Sequence, residues 1–64
     1  MQIKVAEIVG ESHKDWQDAV NTAVSEASRT ISTITGVEVS NWTASVKNNK
    51  IVDYKANIKI AYTE

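Results

Sequence analysis

Residues 12–39 read SHKDWQDAVNTAVSEASRTISTITGVEV, and a change of period inside them governs how the chain folds. From Ser12 to Thr35 the apolar residues Trp16, Ala19, Val20, Ala23, Val24, Ala27, Ile31 and Ile34 share one face of a 3.6-residue repeat. That spacing predicts a helix over 12–35. Its opposite face, with Gln17, Asp18, Asn21, Ser25, Glu26, Ser28, Arg29 and Ser32, sees solvent or a neighbouring subunit. Ser12 is placed to cap the first backbone N–H groups, and Asp15 three residues on is a weaker form of the capping-box acid. Ala19, Ala23 and Ala27 form a narrow ridge that a sheet or another helix can approach closely. Thr30, Ile31, Thr33 and Thr35 are β-branched and weaken the last turns, and Gly36 reads as the helix stop.

On either side the period becomes two. Residues 2–9 are β-rich, with Ile3 and Val5 alternating against Gln2 and Lys4. The alternation slips at Ala6-Glu7-Ile8, which points to a buried strand end or an irregularity, and Gly10 reads as a turn. After Gly36 the apolar positions are Val37 and Val39, then Trp42, Ala44 and Val46, with a change of parity between. One extra residue at Ser40-Asn41, a β-bulge, places all five on one face; without it Trp42 points opposite to the valines. Lys47-Asn48-Asn49-Lys50 reads as a tight hairpin, because asparagine tolerates positive φ. The last strand alternates cleanly, Tyr54, Ala56, Ile58, Ile60 and Tyr62 against Lys55, Asn57, Lys59 and Ala61.

A strand, a crossover helix and a hairpin make an α+β fold of order β-α-β-β. A right-handed crossover that skips one position leaves room for the last strand in the middle, so the expected sheet is antiparallel in order 1-3-2. One helix covers one face. The other, bearing Lys55, Asn57, Lys59 and Glu38, is left to solvent, a partner subunit or a ligand.

Composition bounds the function. Sixty-four residues form one domain, 1–64, and chains of this size bury only about 60% of their unfolded surface. No cysteine is present to staple the fold, so self-association is the expected stabiliser, and 42% apolar residues leave surface for it. A net charge of −1 with mixed signs gives no basic stripe for nucleic acid. No apolar run approaches the ~20 residues of a membrane span, and Met-Gln-Ile-Lys-Val lacks the layout of a signal peptide. A cytoplasmic protein is expected. One histidine, no cysteine and no nucleophile beside a base speak against an enzyme.

Glu7-Ile8-Val9-Gly10-Glu11-Ser12 is similar to the E-I-V-G-x-S of the dodecins, with Trp16 where that family carries an aromatic residue. Further matches are Ala27-Ser28-Arg29-Thr30, Val37-Glu38-Val39, Val52-Asp53-Tyr54-Lys55 against V-x-Y-Q, and Ile58-Lys59-Ile60-Ala61-Tyr62 against L-K-V-G-F. The resemblance spans the chain. It implies a homo-oligomeric, dodecameric shell that binds and stores a small ligand, with a flavin (riboflavin or FMN) as the family's ligand. It also implies a ligand site near Gly36, Val37 and Lys55. Gly36 stands where flavin-binding members carry the tryptophan that stacks on the isoalloxazine ring, and Lys55 where they carry a glutamine that bonds its polar edge. One stacking contact contributes about 1–3 kcal/mol, so its loss weakens binding tenfold or more.

Other residues extend this reading. Trp42 is a candidate replacement stacking platform, or else a core or interface residue. Lys55 and Lys59 share a face and suit an anionic group such as phosphate, or serve surface ion pairs. Glu11, Asp15 and Asp18 are spaced four and then three apart at the helix start. They offer oxygen ligands to a calcium or magnesium ion, or complement the helix dipole. The resemblance therefore leaves a second function open, a flavin-free assembly that binds a cation or serves only as a scaffold. A generic β-α-β-β interaction module of low-order symmetry is the third.

Overall fold

The computed structural model describes residues 2–63. Strand β1 (Ile3–Ser12) leads to helix α1 (Trp16–Ala27), then to strands β2 (Ile34–Lys47) and β3 (Lys50–Thr63). The three strands form an antiparallel sheet in order β1-β3-β2. The expected order and topology are observed.

The helix is shorter than its apolar pattern. It has 12 residues, begins at Trp16 and is capped by Asp15, not Ser12. The Asp15 carboxylate accepts the Asp18 N–H at 2.7 Å, taking the capping role. Ser12 ends β1 instead, and its buried hydroxyl donates to the Asp18 carboxylate at 2.7 Å while accepting the Lys14 N–H at 2.9 Å. At the other end the helix stops near Ser28, eight residues before Gly36. The Ser28 hydroxyl donates to the Ser25 carbonyl and the Arg29 N–H to the Glu26 carbonyl, a tightened last turn that leads into β-branched residues. Ile31 and Ile34 keep the helical spacing but pack on the core from the connection and from β2. Gly36 lies inside β2 with no positive φ, so it is not a helix stop.

Gly10 is likewise not a turn. It lies within β1, opposite Ala56, at the point where α1 crosses the sheet. A Cβ there would overlap the Ala19 carbonyl oxygen and come within 2.9 Å of the Ala23 Cβ. Gly10 and the ridge of Ala19, Ala23 and Ala27 thus bring helix and sheet backbones together, and all three alanines are buried. Their sheet-side partners are Ala56, Ile58 and Ile60, with Val20 completing the core.

The register shows no break in β1, from Ile3 opposite Thr63 to Ser12 opposite Tyr54. Ala6, Ile8 and Gly10 face the helix, and Ile3, Val5 and Val9 face away. The expected irregularity at Ala6-Glu7-Ile8 is absent, because apolar residues occupy both faces. In β2 the bulge at Ser40 is present: Val39 pairs with Ile58 and Asn41 with Asn57. It puts Val37, Val39, Trp42 and Ala44 on the helix side, opposite Ile60, Ile58, Ala56 and Tyr54; Val46 follows a further register shift. Asn48 and Asn49 turn the hairpin with φ of 54° and 63°.

A 12-residue helix is about 18 Å long and a 14-residue strand about 46 Å. The helix therefore covers part of the sheet, over β1 and β3, and touches β2 only slightly. Past Tyr54 the β2–β3 hairpin runs on without β1 beside it, in a molecule 49 Å long.

Candidate functional site

Residues directly paired across an antiparallel ladder point to the same face. On the face away from α1 the register lays out cross-strand rows: Val5, Ala61 and Gly36; then Glu7, Lys59 and Glu38; then Val9, Asn57 and Asn41; then Glu11, Lys55 and Thr43. Asp53 and Ser45 continue it along the hairpin. This face is open, as expected, but it is not simply polar. Ile3, Val5 and Val9 are 71%, 61% and 60% exposed along its β1 edge.

At one end lies a hollow of about 260 Å³ lined by Val5, Gly36, Val37, Glu38, Lys59 and Ala61. Gly36 creates it. A Cβ at this position would meet only the Ala61 Cβ, at 4.0 Å, so space stands above the glycine. Val5 and Ala61 supply apolar walls, and Glu38 and Lys59 a charged rim. A second hollow of about 330 Å³ adjoins the bulge, between Glu7, Val9, Asn41 and Asn57. There the Asn57 amide donates to the Asn41 side-chain oxygen, bridging β3 to β2.

Lys55 is on the same face as Gly36 but not beside it. Its row is six β3 residues from the Gly36 row, about 20 Å at strand rise. Its Nζ lies 3.9 Å from the Asp53 carboxylate, with Glu11 opposite on β1. One flat ring cannot touch Gly36 and Lys55 of the same chain.

Trp42 is on the other face. Its ring meets Trp16 edge-on, centroids 6.4 Å apart at 81°, and Trp16 meets Tyr54 at 4.9 Å and 80°. The Trp16 indole N–H donates to the Thr43 carbonyl at 2.9 Å, fixing the helix start to β2. Trp42 remains 52% exposed and, with Trp16 and Gln17, lines an open cleft of about 470 Å³. The structure therefore separates Trp42 from Gly36 and Lys55.

Glu11, Asp15 and Asp18 do not share a helix face, because Glu11 belongs to β1. Asp15 caps the helix, Asp18 accepts from Ser12, and Glu11 faces Lys55 across the open face. Among the described residues no group of three or more histidine or acidic side chains is arranged to hold a metal ion. His13 Nδ1 lies 3.2 Å from the Val52 carbonyl oxygen. Sequence reasoning passed over Val5 and Ala61, the walls of the Gly36 hollow, and Asp53, the partner of Lys55. Only the strand register brings these together.

The architecture is that of a half-covered β-α-β-β sheet with two hollows on the open side and the Trp16–Trp42 cleft on the helix side. The dodecin family model matches residues 3–64, and the chain belongs to that family. The dodecin of Streptomyces coelicolor superposes with a TM-score of 0.92 at 24% identity, over 95% of this chain and 87% of that one. For the dodecin of Streptomyces davaonensis the TM-score is 0.91 at 21% identity, over 95% and 90%. A Thermus thermophilus protein gives 0.91 at 20% identity, over 95% and 90%. No curated protein sequence matches the chain.

Proposed function

We propose that this chain is a homo-oligomeric binding and storage protein for a small flat ligand, of the flavin class that its family resemblance implies. The observation that carries this reading is the open hollow at Gly36, at the position where that family places its stacking ring. Val5 and Ala61 offer apolar contact to one face of a ring, and Lys59 and Glu38 offer a donor and an acceptor to its edge. Lys55, about 20 Å along the same face, reaches a ring in that hollow only from another copy of the chain. A site built between open faces also provides a role for the exposed Ile3, Val5 and Val9. A dodecameric assembly, as the resemblance implies, follows the same logic.

Charge selects among flavins. Glu7, Glu11, Glu38 and Asp53 outnumber Lys55 and Lys59 on the open face. Uncharged riboflavin is therefore favoured over FMN, whose phosphate would meet a net negative surface. The test is quenching of flavin fluorescence by the purified protein. Saturable quenching by riboflavin, weaker for FMN at low salt, is expected; no quenching at high micromolar protein would refute flavin binding.

A further inference from the structure

Asp53 is 8% exposed, and its Oδ1 is buried without a hydrogen-bond partner. Its Oδ2 has Lys55 Nζ at 3.9 Å. A buried carboxylate oxygen left unmatched is costly, and something must satisfy it. β2 faces this corner with the uncharged Thr43 and Ser45, opposite Lys55 and Asp53. The acids at the start of α1 are engaged elsewhere, Asp15 with the Asp18 N–H and Asp18 with Ser12. His13, just beyond β1, lies against the Val52 carbonyl. Glu11 remains. It stands opposite Lys55 on the last part of β1, on the same face as Asp53.

We propose that Glu11 and Asp53 share one proton, the Glu11 carboxyl donating to the buried Asp53 oxygen, so that this corner is a pH-sensitive clasp between the end of β1 and β3. The electrostatics agree. A side-chain hydrogen bond with Asp53, and then repulsion from its charge, raise the Glu11 carboxyl above its ordinary value, while Lys55 and His13 pull it back. With the proton in place the pair carries one negative charge against the one positive charge of Lys55. Without it, two carboxylates crowd a single ammonium, and Oδ1 loses its donor.

The sign follows from linkage. A carboxyl whose value is raised on folding holds its proton more tightly in the folded chain. Its stabilising contribution is full below the unfolded-state value and is lost as pH rises through the folded one. Glu11→Gln replaces the proton-dependent donor with a permanent amide donor.

Two measurements test the clasp, and neither involves a ligand, so flavin binding can fail without touching it. Carbon-13 NMR titration of the unaltered protein should show Glu11 titrating above a free glutamate and the Asp53 carboxyl responding at the same midpoint. An ordinary Glu11 midpoint with a silent Asp53 overturns the proposal. In thermal unfolding, Glu11→Gln should gain on the unaltered protein progressively as pH rises from 4 to 7. A stability difference independent of pH overturns it as well.

Discussion

Gly36 has open space where a side chain would stand, and Gly10 has none. These two glycines show how differently one residue type can be used. At Gly36 the nearest obstacle is the Ala61 Cβ at 4.0 Å, so Gly36→Trp should fold and fill the hollow. If the flavin site is at this position, the variant should bind riboflavin roughly 5- to 150-fold more tightly in a fluorescence titration, the equivalent of about 1–3 kcal/mol of stacking. Unchanged affinity in the folded variant would move the site elsewhere. At Gly10 a methyl group overlaps the Ala19 carbonyl, which is backbone and cannot step aside. Gly10→Ala should cost about 1–3 kcal/mol, read as a lower urea midpoint at constant slope. Both roles were misread from sequence, as a stop and a turn, because glycine announces freedom without saying which neighbour requires it. The position of Gly36 in the family pattern was legible; its place beside Val5 and Ala61 was not, since strand register is a tertiary fact.

Among the elements, the hairpin and the bulge were the most legible. Two asparagines between alternating strands specify a turn with positive φ, and the parity change before Trp42 narrows the choice to a bulge or a reversed Trp42, of which the bulge is observed. The helix end was the least legible. Ile31 and Ile34 satisfy a helical repeat and a core-facing connection equally well, so periodicity alone ran past the true stop near Ser28. The start is decided by hydrogen bonds: Asp15 is the cap, and Ser12 links strand to helix through Asp18. Asp15→Ala should therefore destabilise the fold by about 1 kcal/mol in chemical denaturation, the usual cost of a lost cap. A neutral Asp15→Ala would mean that the Asp18 N–H finds another acceptor at no cost.

For the molecule as a whole, the balance of buried and exposed apolar surface is the informative quantity. The core consists of four small or medium helix residues and three from β3, while Ile3, Val5, Val9, Val37, Trp42, Val46, Ile51 and Val52 remain exposed. The exposed residues lie on the open face, on the helix side of β2 and on the protruding hairpin, places that one 12-residue helix cannot reach. Composition points to self-association, and so does the proposed site: for Gly36 and Lys55 to serve one ligand they must come from different copies. Assembly should accordingly add stability that a monomer lacks, visible as a melting temperature that rises with protein concentration. The most direct test of a site built between copies is the mass of the protein in solution by light scattering after size exclusion. The expected result is a discrete, closed assembly of dodecameric mass. A particle at the 7.1 kDa of a single chain would rule out a site built between copies.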